Sequence, residues 1–383
     1  MLNRRKVKIC HLQLLPIMSG VQRAMLEFLK RLDPQTYEVT VVCRDEGDLT
    51  KELRNLGIHF QLIPSLQREI NVWKDAHALW RLYRLFKREK FDLIHTHSSK
   101  TGFLGRVAGR LGGGVRIIHT VQGFPFHEFS GRFSTLVYSW FEKLAGTLTY
   151  QVVFVNNEER AYAIEKRILR PDQVRTIYNG VDLARVNIFN QEVNRQRFRA
   201  AWSIPTDAFV VAFVGRLWQQ KDPQTLSRII TACAVLPVHF LIVGDGPYLA
   251  HLQTAFAGQK RITLAGWMED PFQMYPAIDV LLLPSLWEGL SITLIEAMAF
   301  GKPLIASNIK GNRECVHHGY NGLLCPPRQA DEFKKAIQTI WQDHFLYKTM
   351  SKHCLELARQ SFDVEQNTRR LLALYEEQLG YDG

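Results

Sequence analysis

Two glutamates with seven residues between them, Glu288 and Glu296, stand in the segment PSLWEGLSITLIEAMAFGKP that runs from Pro284 to Pro303. A short apolar strand, Leu281–Leu283, leads into it, a loop carries Glu288 and Gly289, and an amphipathic helical run from Ser291 is stopped by Gly301 and Pro303. The first amides of such a helix, those of Gly289, Leu290 and Ser291, have no partners within the helix. With the helix dipole behind them they make a seat for a diphosphate. A carboxylate that accepts two adjacent hydroxyls is the usual grip on a ribose. As plain structural features, Glu288 would favour the helix start electrostatically and Glu296 would be solvated.

A second segment, VGRLWQQKDP from Val214 to Pro223, puts Arg216 and Lys221 directly after a predicted strand. A planar guanidinium and a flexible ammonium together suit a pyrophosphate carrying about two negative charges. Gly244, in IVGDGP, marks either a ligand-side loop or an ordinary strand-ending turn. His95 and His97 end another strand with both imidazoles on one face, which invites a metal reading. The chain has no Asp-x-Asp triplet to hold a metal under a diphosphate, and Arg216 and Lys221 could supply that neutralisation, so no catalytic metal is expected. His97, followed by Ser98, Ser99 and Lys100, is assigned instead to an acceptor side of the site or to structural filling.

These groups have to be positioned by something. Short β-branched runs alternate with helical stretches in both halves, the pattern of parallel βαβ units. The first half offers strands near residues 7–14, 37–43, 59–64, 92–97, 116–121, 151–156 and 174–178. The second offers them near 209–214, 239–243, 262–265, 279–284, 303–307 and 322–325. Between them the polar stretch 182–207 has no strand signal and reads as a hinge plus a surface helix. The expected fold class is therefore α/β, with two Rossmann-like domains facing across a deep cleft. The two domains span residues 1–183 and 184–361, with 362–383 a helix returning to the first. In open parallel sheets ligands bind beyond the carboxyl ends of the strands, which is where the residues above fall.

Taken together, Glu288, Glu296 and the trailing AMAFGKP resemble the E-x7-E signature of the family 4 retaining glycosyltransferases, which adopt the GT-B fold, and the resemblance runs over nearly the whole chain. It implies that Glu296 binds the ribose of a nucleotide sugar, that Glu288 contacts the donor sugar near the reacting carbon, and that Arg216 and Lys221 stabilise the leaving diphosphate. It places Met268, in AGWMED, where backbone pairs with the base. The family often has glycine after the lysine, and Asp222 stands there instead. In the first half, the family's Gly-Gly pair after strand one survives only as Gly20, and Gln122 takes the place of a frequent histidine, so no histidine base is expected there. His119 and His127 lie close enough in sequence to be further candidates for substrate contact.

At 383 residues with 46% hydrophobic content the chain can bury two cores, which excludes a small binding module or a disordered chain. The six cysteines form no CxxC pair and fit reduced thiols. The net charge of +11 lies entirely within residues 1–180. Residues 71–90 interleave Trp73, Trp80, Tyr83 and Phe86 with six cations, and a second apolar segment spans 129–148. Such a surface fits an anionic leaflet, or else a packed helix with solvated charges outside it. No nucleic-acid motif organises the cations and no G-x-G-x-x-G follows a strand, so nucleic acid and NAD are not expected partners.

The expected protein is a retaining, metal-independent hexosyltransferase without a cofactor, cytoplasmic and peripheral to the inner face of the membrane. It would move a sugar, an N-acetylhexosamine by preference, from a UDP-linked rather than GDP-linked donor to a polyprenyl-diphosphate-linked glycan in O-antigen, capsule or exopolysaccharide assembly. A UDP-GlcNAc 2-epimerase-like enzyme of the same fold and a non-catalytic, nucleotide-sensing membrane protein are the alternatives.

Overall fold

The computed structural model describes residues 5–124 and 131–380, the side chains of 132–134 excepted. It divides into one compact unit formed by residues up to Asn179 together with those from Glu365, and a second from Gly180 to Val364.

In the first unit seven strands, β1 (Val7–Leu12), β2 (Tyr37–Cys43), β3 (His59–Leu62), β4 (Leu93–His97), β5 (Arg116–Val121), β6 (Gln151–Phe154) and β7 (Val174–Thr176), form a parallel sheet in the order 3-2-1-4-5-6-7. In the second, β8 (Phe209–Val214), β9 (Val238–Val243), β10 (Ile262–Gly266), β11 (Val280–Leu283), β12 (Leu304–Ser307) and β13 (Gly322–Cys325) run in the order 10-9-8-11-12-13, again parallel. Helices cover both faces of such sheets, so the central strands are apolar on both sides. FVVAFV in β8 and VLLL in β11 show this, and Val210–Phe213 and Val280–Leu283 are wholly buried. Strand order reverses between β1 and β4 in one sheet and between β8 and β11 in the other, and at such switch points the loops part to leave room for a ligand.

The helix Val72–Glu89 starts at Asn71, whose side chain accepts from the Lys74 amide, and buries Ala78, Leu82, Leu85 and Phe86. Its outer face keeps Trp73 86% and Trp80 49% exposed, so packing and an exposed aromatic face coexist. The terminal helix Val364–Leu379 puts Leu374 and Tyr375 into the core formed by Val7, Ile9, Val41, Leu93 and Ile118.

The stretch 182–207 has no strand and carries a surface helix, as expected, but it holds two helices where one was expected. Its helices are Leu183–Phe189 and Glu192–Ala201, and the second buries Phe198 and Arg199. The Arg199 guanidinium bonds Asp279 at 3.0 Å and donates to the carbonyls of Ala277, Pro205, Thr206 and Ala208. Polar composition signalled exposure, but this arginine is buried because every donor it can spare finds an oxygen.

Candidate active site

In the second unit the residues singled out from the sequence converge on the switch point. After β8 the chain passes Gly215 and Arg216 into a 3-10 turn, Gln219–Lys221, and the helix Pro223–Ala232. Asp222 joins the two with φ of 46°, in the left-handed region that favours glycine. Asp tolerates this conformation, and its carboxylate caps the helix by accepting from the Thr225 amide and hydroxyl, which offsets the backbone cost of departing from glycine. The neighbouring loop after β9 lies directly against this one. Gly244 has φ of 142°, a Cβ there would sit 1.9 Å from the Gly215 carbonyl oxygen, and the Leu217 amide donates to the Asp245 carbonyl.

The β11 loop is tied to the same turn. The Leu286 amide donates to the Gln220 carbonyl, and the Gln220 side-chain amide donates to the Trp287 carbonyl at 3.0 Å and to Glu288 Oε2 at 3.3 Å. Lys221 Nζ then meets Glu288 Oε1 at 2.6 Å, with the two side chains only 14% and 7% exposed. One of the two expected phosphate-facing cations is thus already paired with the carboxylate expected near the donor sugar. Arg216 is exposed, its guanidinium 5.5 Å over the Trp218 ring.

The helix after this loop, Ile292–Ala299, was expected to be amphipathic, but six of its eight residues are buried. It packs on the His344–Ser361 helix as well as on the sheet, so it has no solvent face to make polar. Ser291 stands at its start without a side-chain cap, its hydroxyl bonded instead to that of Thr293 at 3.0 Å. Glu296 is 5% exposed rather than solvated, and accepts a 2.6 Å hydrogen bond from the buried Tyr275 hydroxyl. Gly289 is partly exposed, Leu290 is buried, and Met268 lies partly exposed in the loop after β10. Gln220, Tyr275 and Gly311 escaped the sequence reading. Gly311 lies so close to the loop that a Cβ would come within 2.4 Å of the Glu288 carbonyl oxygen.

In the first unit, Gly20 opens the helix Gly20–Leu29. Gln122 follows β5 and accepts from the Asn179 side chain at 2.9 Å. It helps to line a cavity of about 170 Å³ with Ser98, Ser99, His119, Gly123, Phe124 and Glu142. Glu142 is held by the buried Arg106 at 3.0 Å, a pair that no local sequence pattern signals. His119 is buried against Thr96, and its burial lowers its pKa well below the usual value, so it reaches this cavity as a neutral imidazole. His97 is 4% exposed and turns to His11 rather than to the cavity, and burial lowers its pKa to about 3. Lys100 is engaged by Asp75 at 2.7 Å. His127 lies outside the described residues.

Two units, each an open parallel sheet, are the architecture of the GT-B class of glycosyltransferases. Comparison with known proteins agrees. Residues 18–185 match the family model described as Glycosyltransferase Family 4, and residues 208–343 match that described as Glycosyl transferases group 1. A UDP-Gal:alpha-D-GlcNAc-diphosphoundecaprenol alpha-1,3-galactosyltransferase from Escherichia coli is 36% identical over 97% of this chain and 97% of its own. An N,N'-diacetylbacillosaminyl-diphospho-undecaprenol alpha-1,3-N-acetylgalactosaminyltransferase from Campylobacter jejuni is 22% identical over 94% and 96%. The crystal structure of Anabaena HepE in complex with UDP superposes with a TM-score of 0.81, at 20% identity, covering 97% of this chain and 100% of that one. The protein belongs to the family 4, group 1 glycosyltransferases. It is a glycosyltransferase of GT-B fold.

Proposed function

We propose that the protein transfers a sugar, with retention of anomeric configuration, from a UDP-linked donor to a hydroxyl of an undecaprenyl-diphosphate-linked glycan in the assembly of a cell-surface polysaccharide. The observation that carries this reading is the 36% identity, over 97% of both chains, to an enzyme whose name states such a donor and acceptor. Glu296, steadied by Tyr275, takes the ribose hydroxyls, and the backbone near Met268 and Gly244 takes the base and its ribose phosphate. Arg216, Lys221 and the amides at Gly289–Ser291 take the diphosphate. Glu288, fixed by Lys221 and Gln220, contacts the donor sugar. As the bond from the anomeric carbon to the diphosphate oxygen breaks, that oxygen accepts the proton of the incoming hydroxyl, so no separate base is needed. The fixed cations supply their stabilisation where charge develops. Gly20, Gln122 and His119 face the acceptor and donor sugar in this reading.

For the donor sugar, the two relatives above are named for galactose and for N-acetylgalactosamine. A galacto-configured sugar is therefore the first choice, ahead of N-acetylhexosamines in general. Peripheral attachment to an anionic leaflet is supported by the exposed Trp73 and Trp80, with Arg84 over the Trp80 ring and Lys87 over that of Tyr83, and by the exposed Leu136, Trp140 and Leu144 at helical spacing in the helix Arg132–Gly146. Among the described residues no helix is long and apolar enough to cross a membrane.

The test is thermal stabilisation by UDP, GDP, ADP and NAD, followed by product analysis with UDP-galactose, UDP-GalNAc and UDP-GlcNAc on a GlcNAc-diphospho-lipid. UDP at a hundred times its dissociation constant should add about 2.7 kcal/mol, and Glu296→Ala should abolish the shift. The product should carry the donor's anomeric configuration. Stabilisation by NAD alone, or an isomerised sugar formed without acceptor, would overturn the reading.

A further inference from the structure

In the first unit an ion pair joins the helices Ser99–Leu111 and Arg132–Gly146 and borders a cavity. Arg106 is wholly buried. Its Nη2 donates to both oxygens of Glu142, at 3.1 and 3.0 Å, and its Nε donates to the Gly102 carbonyl at 2.9 Å. The Glu142 side chain keeps 8% of its surface exposed and lines the cavity, of about 170 Å³, with Ser98, Ser99, His119, Gln122 and Phe124. We propose that this cavity is the subsite for the terminal sugar of the lipid-linked acceptor, and that Glu142, fixed by Arg106, selects that sugar by accepting a hydrogen bond from one of its hydroxyls. This role rests on the transferase reading above and names the substrate that the first unit recognises.

The chemistry of the lining leads to a sugar. A carboxylate has about four lone-pair sites, and Arg106 takes one on each oxygen, so each oxygen can still accept from a hydroxyl. Gln122 spends its Oε1 on Asn179, which leaves its Nε2 donor without a protein partner among the described residues. His119, a neutral imidazole, is bonded to the Thr96 hydroxyl through Nδ1, and its Nε2 has no such partner either. The hydroxyls of Ser98 and Ser99 are in the same position. Donors and acceptors mixed along one wall, with the Phe124 ring beside them, suit a ring of hydroxyls, each of which can both give and take a hydrogen bond. Among the described residues no lysine or arginine lines the cavity, and the Arg106–Glu142 pair has no net charge to offer a diphosphate. A sugar ring therefore enters, and its phosphates stay outside.

The helix that supplies Glu142 favours the acceptor over the donor. Its buried side brings the carboxylate to the cavity, and its other side holds Leu136, Trp140 and Leu144 in solvent, about one turn apart. That apolar stripe suits the lipid to which the acceptor is tied. The groups assigned to the donor, Glu288, Glu296 and Lys221, belong to the second unit. An ion pair as buried as this one stabilises no more than an apolar pair of the same size would. What the charge adds is a carboxylate held in one orientation at the cavity wall.

The test uses full-length protein and follows transfer from the UDP-sugar that the wild type turns over to a GlcNAc-diphospho-lipid and its monodeoxy analogues. Donor and acceptor are titrated separately. Glu142→Asp keeps a charge beside Arg106 but draws the carboxylate back. It should raise KM for the acceptor at least about tenfold, the size of a lost hydrogen bond to a charged group, and leave KM for the donor and the thermal shift with UDP unchanged. One monodeoxy acceptor should lose about tenfold in kcat/KM with the wild type and under about twofold with Glu142→Gln, because the missing hydroxyl and the carboxylate are each other's partner. Ser99→Leu fills the cavity from the start of its helix and leaves the ion pair alone. It too should raise KM for the acceptor and not for the donor, so the outcome does not hang on the Glu142 variants, whose folding circular dichroism checks. A rise in KM for the donor in place of the acceptor would put the donor sugar in the cavity and overturn the proposal. So would an acceptor KM indifferent to both Glu142→Asp and Ser99→Leu. Wild-type protein that is stabilised by no nucleotide, or that transfers nothing to the lipid acceptor, would instead overturn the transferase reading, and this subsite with it.

Discussion

Lys221 and Glu288 sit together at 2.6 Å with little exposure, so each is the other's compensating partner. Removing one leaves an uncompensated charge behind. Lys221→Met should cost about 3 kcal/mol of stability and lower kcat at least about a hundredfold. Glu288→Gln should do the same to activity. The double variant, in which neither charge is left alone, should recover most of the stability and none of the activity, and chemical denaturation beside donor-turnover assays separates the two effects. Lys302 is the contrasting case. Burial lowers its pKa from 10.5 to about 8 although Asp279 works to raise it, with Glu192 acting as Asp279 does and Arg195 and Arg199 acting against it. The unfolded chain holds that proton more tightly, so Lys302 costs stability in full below pH 8, and the cost fades as pH rises towards 10.5. Lys302→Met should therefore raise stability at pH 7 by up to about 3 kcal/mol, and the gain should vanish near pH 10.5 in melting curves taken across that range.

At the scale of elements, the loop after β11 is a surface fitted to its neighbours. Gly311, in the short helix Lys310–Arg313, packs on the backbone of Glu288 and Gly289, with no room for a methyl group. Gly311→Ala must push that loop, at a cost of about 1–3 kcal/mol, and should raise KM for the donor and lower kcat together, while Ala substitution at the open Gly258, where φ is 73°, should cost only stability. Donor titrations of both variants decide it. The strands were legible because a short apolar run between turn residues leaves little else for the chain to do, and Phe209–Val214 and Gly322–Cys325 fall where the sequence put them. Glu288 and Glu296 stood out because they share one short segment, and Lys221 because it follows Arg216 closely after a strand, but the pairing of Lys221 with Glu288, 67 residues apart, was not legible. What was not legible is set by contacts across the fold. Tyr275 reaches Glu296 over 21 residues, Arg106 reaches Glu142 over 36, and nothing near Arg199 in sequence announces the oxygens that allow it to be buried.

Over the whole molecule, the order of the chain and the order of the fold differ at one point with a measurable effect. The last helix belongs to the first unit: Leu374 is 1% exposed among Val7, Ile9 and Val41, and Arg175 and Arg31 hold Glu377 and Glu365 of that helix at 2.7 Å and 2.6 Å. Exposed ion pairs of this kind add little, so the helix is retained chiefly by its buried side chains. Leu374→Ala removes one of them and leaves a cavity beside β1, a change worth about 2–5 kcal/mol. That loss falls on the unit that contains the N-terminus, whereas UDP, if it binds Glu296 and Arg216, stabilises the other. In a calorimetric scan with saturating UDP, the variant should show one transition lowered by the mutation and another raised by the ligand. In the wild type the ligand should move only the second. A single transition, shifted down by the mutation and restored by UDP, would mean that the two units unfold as one and that the C-terminal helix stabilises the nucleotide site as much as the sheet it packs on.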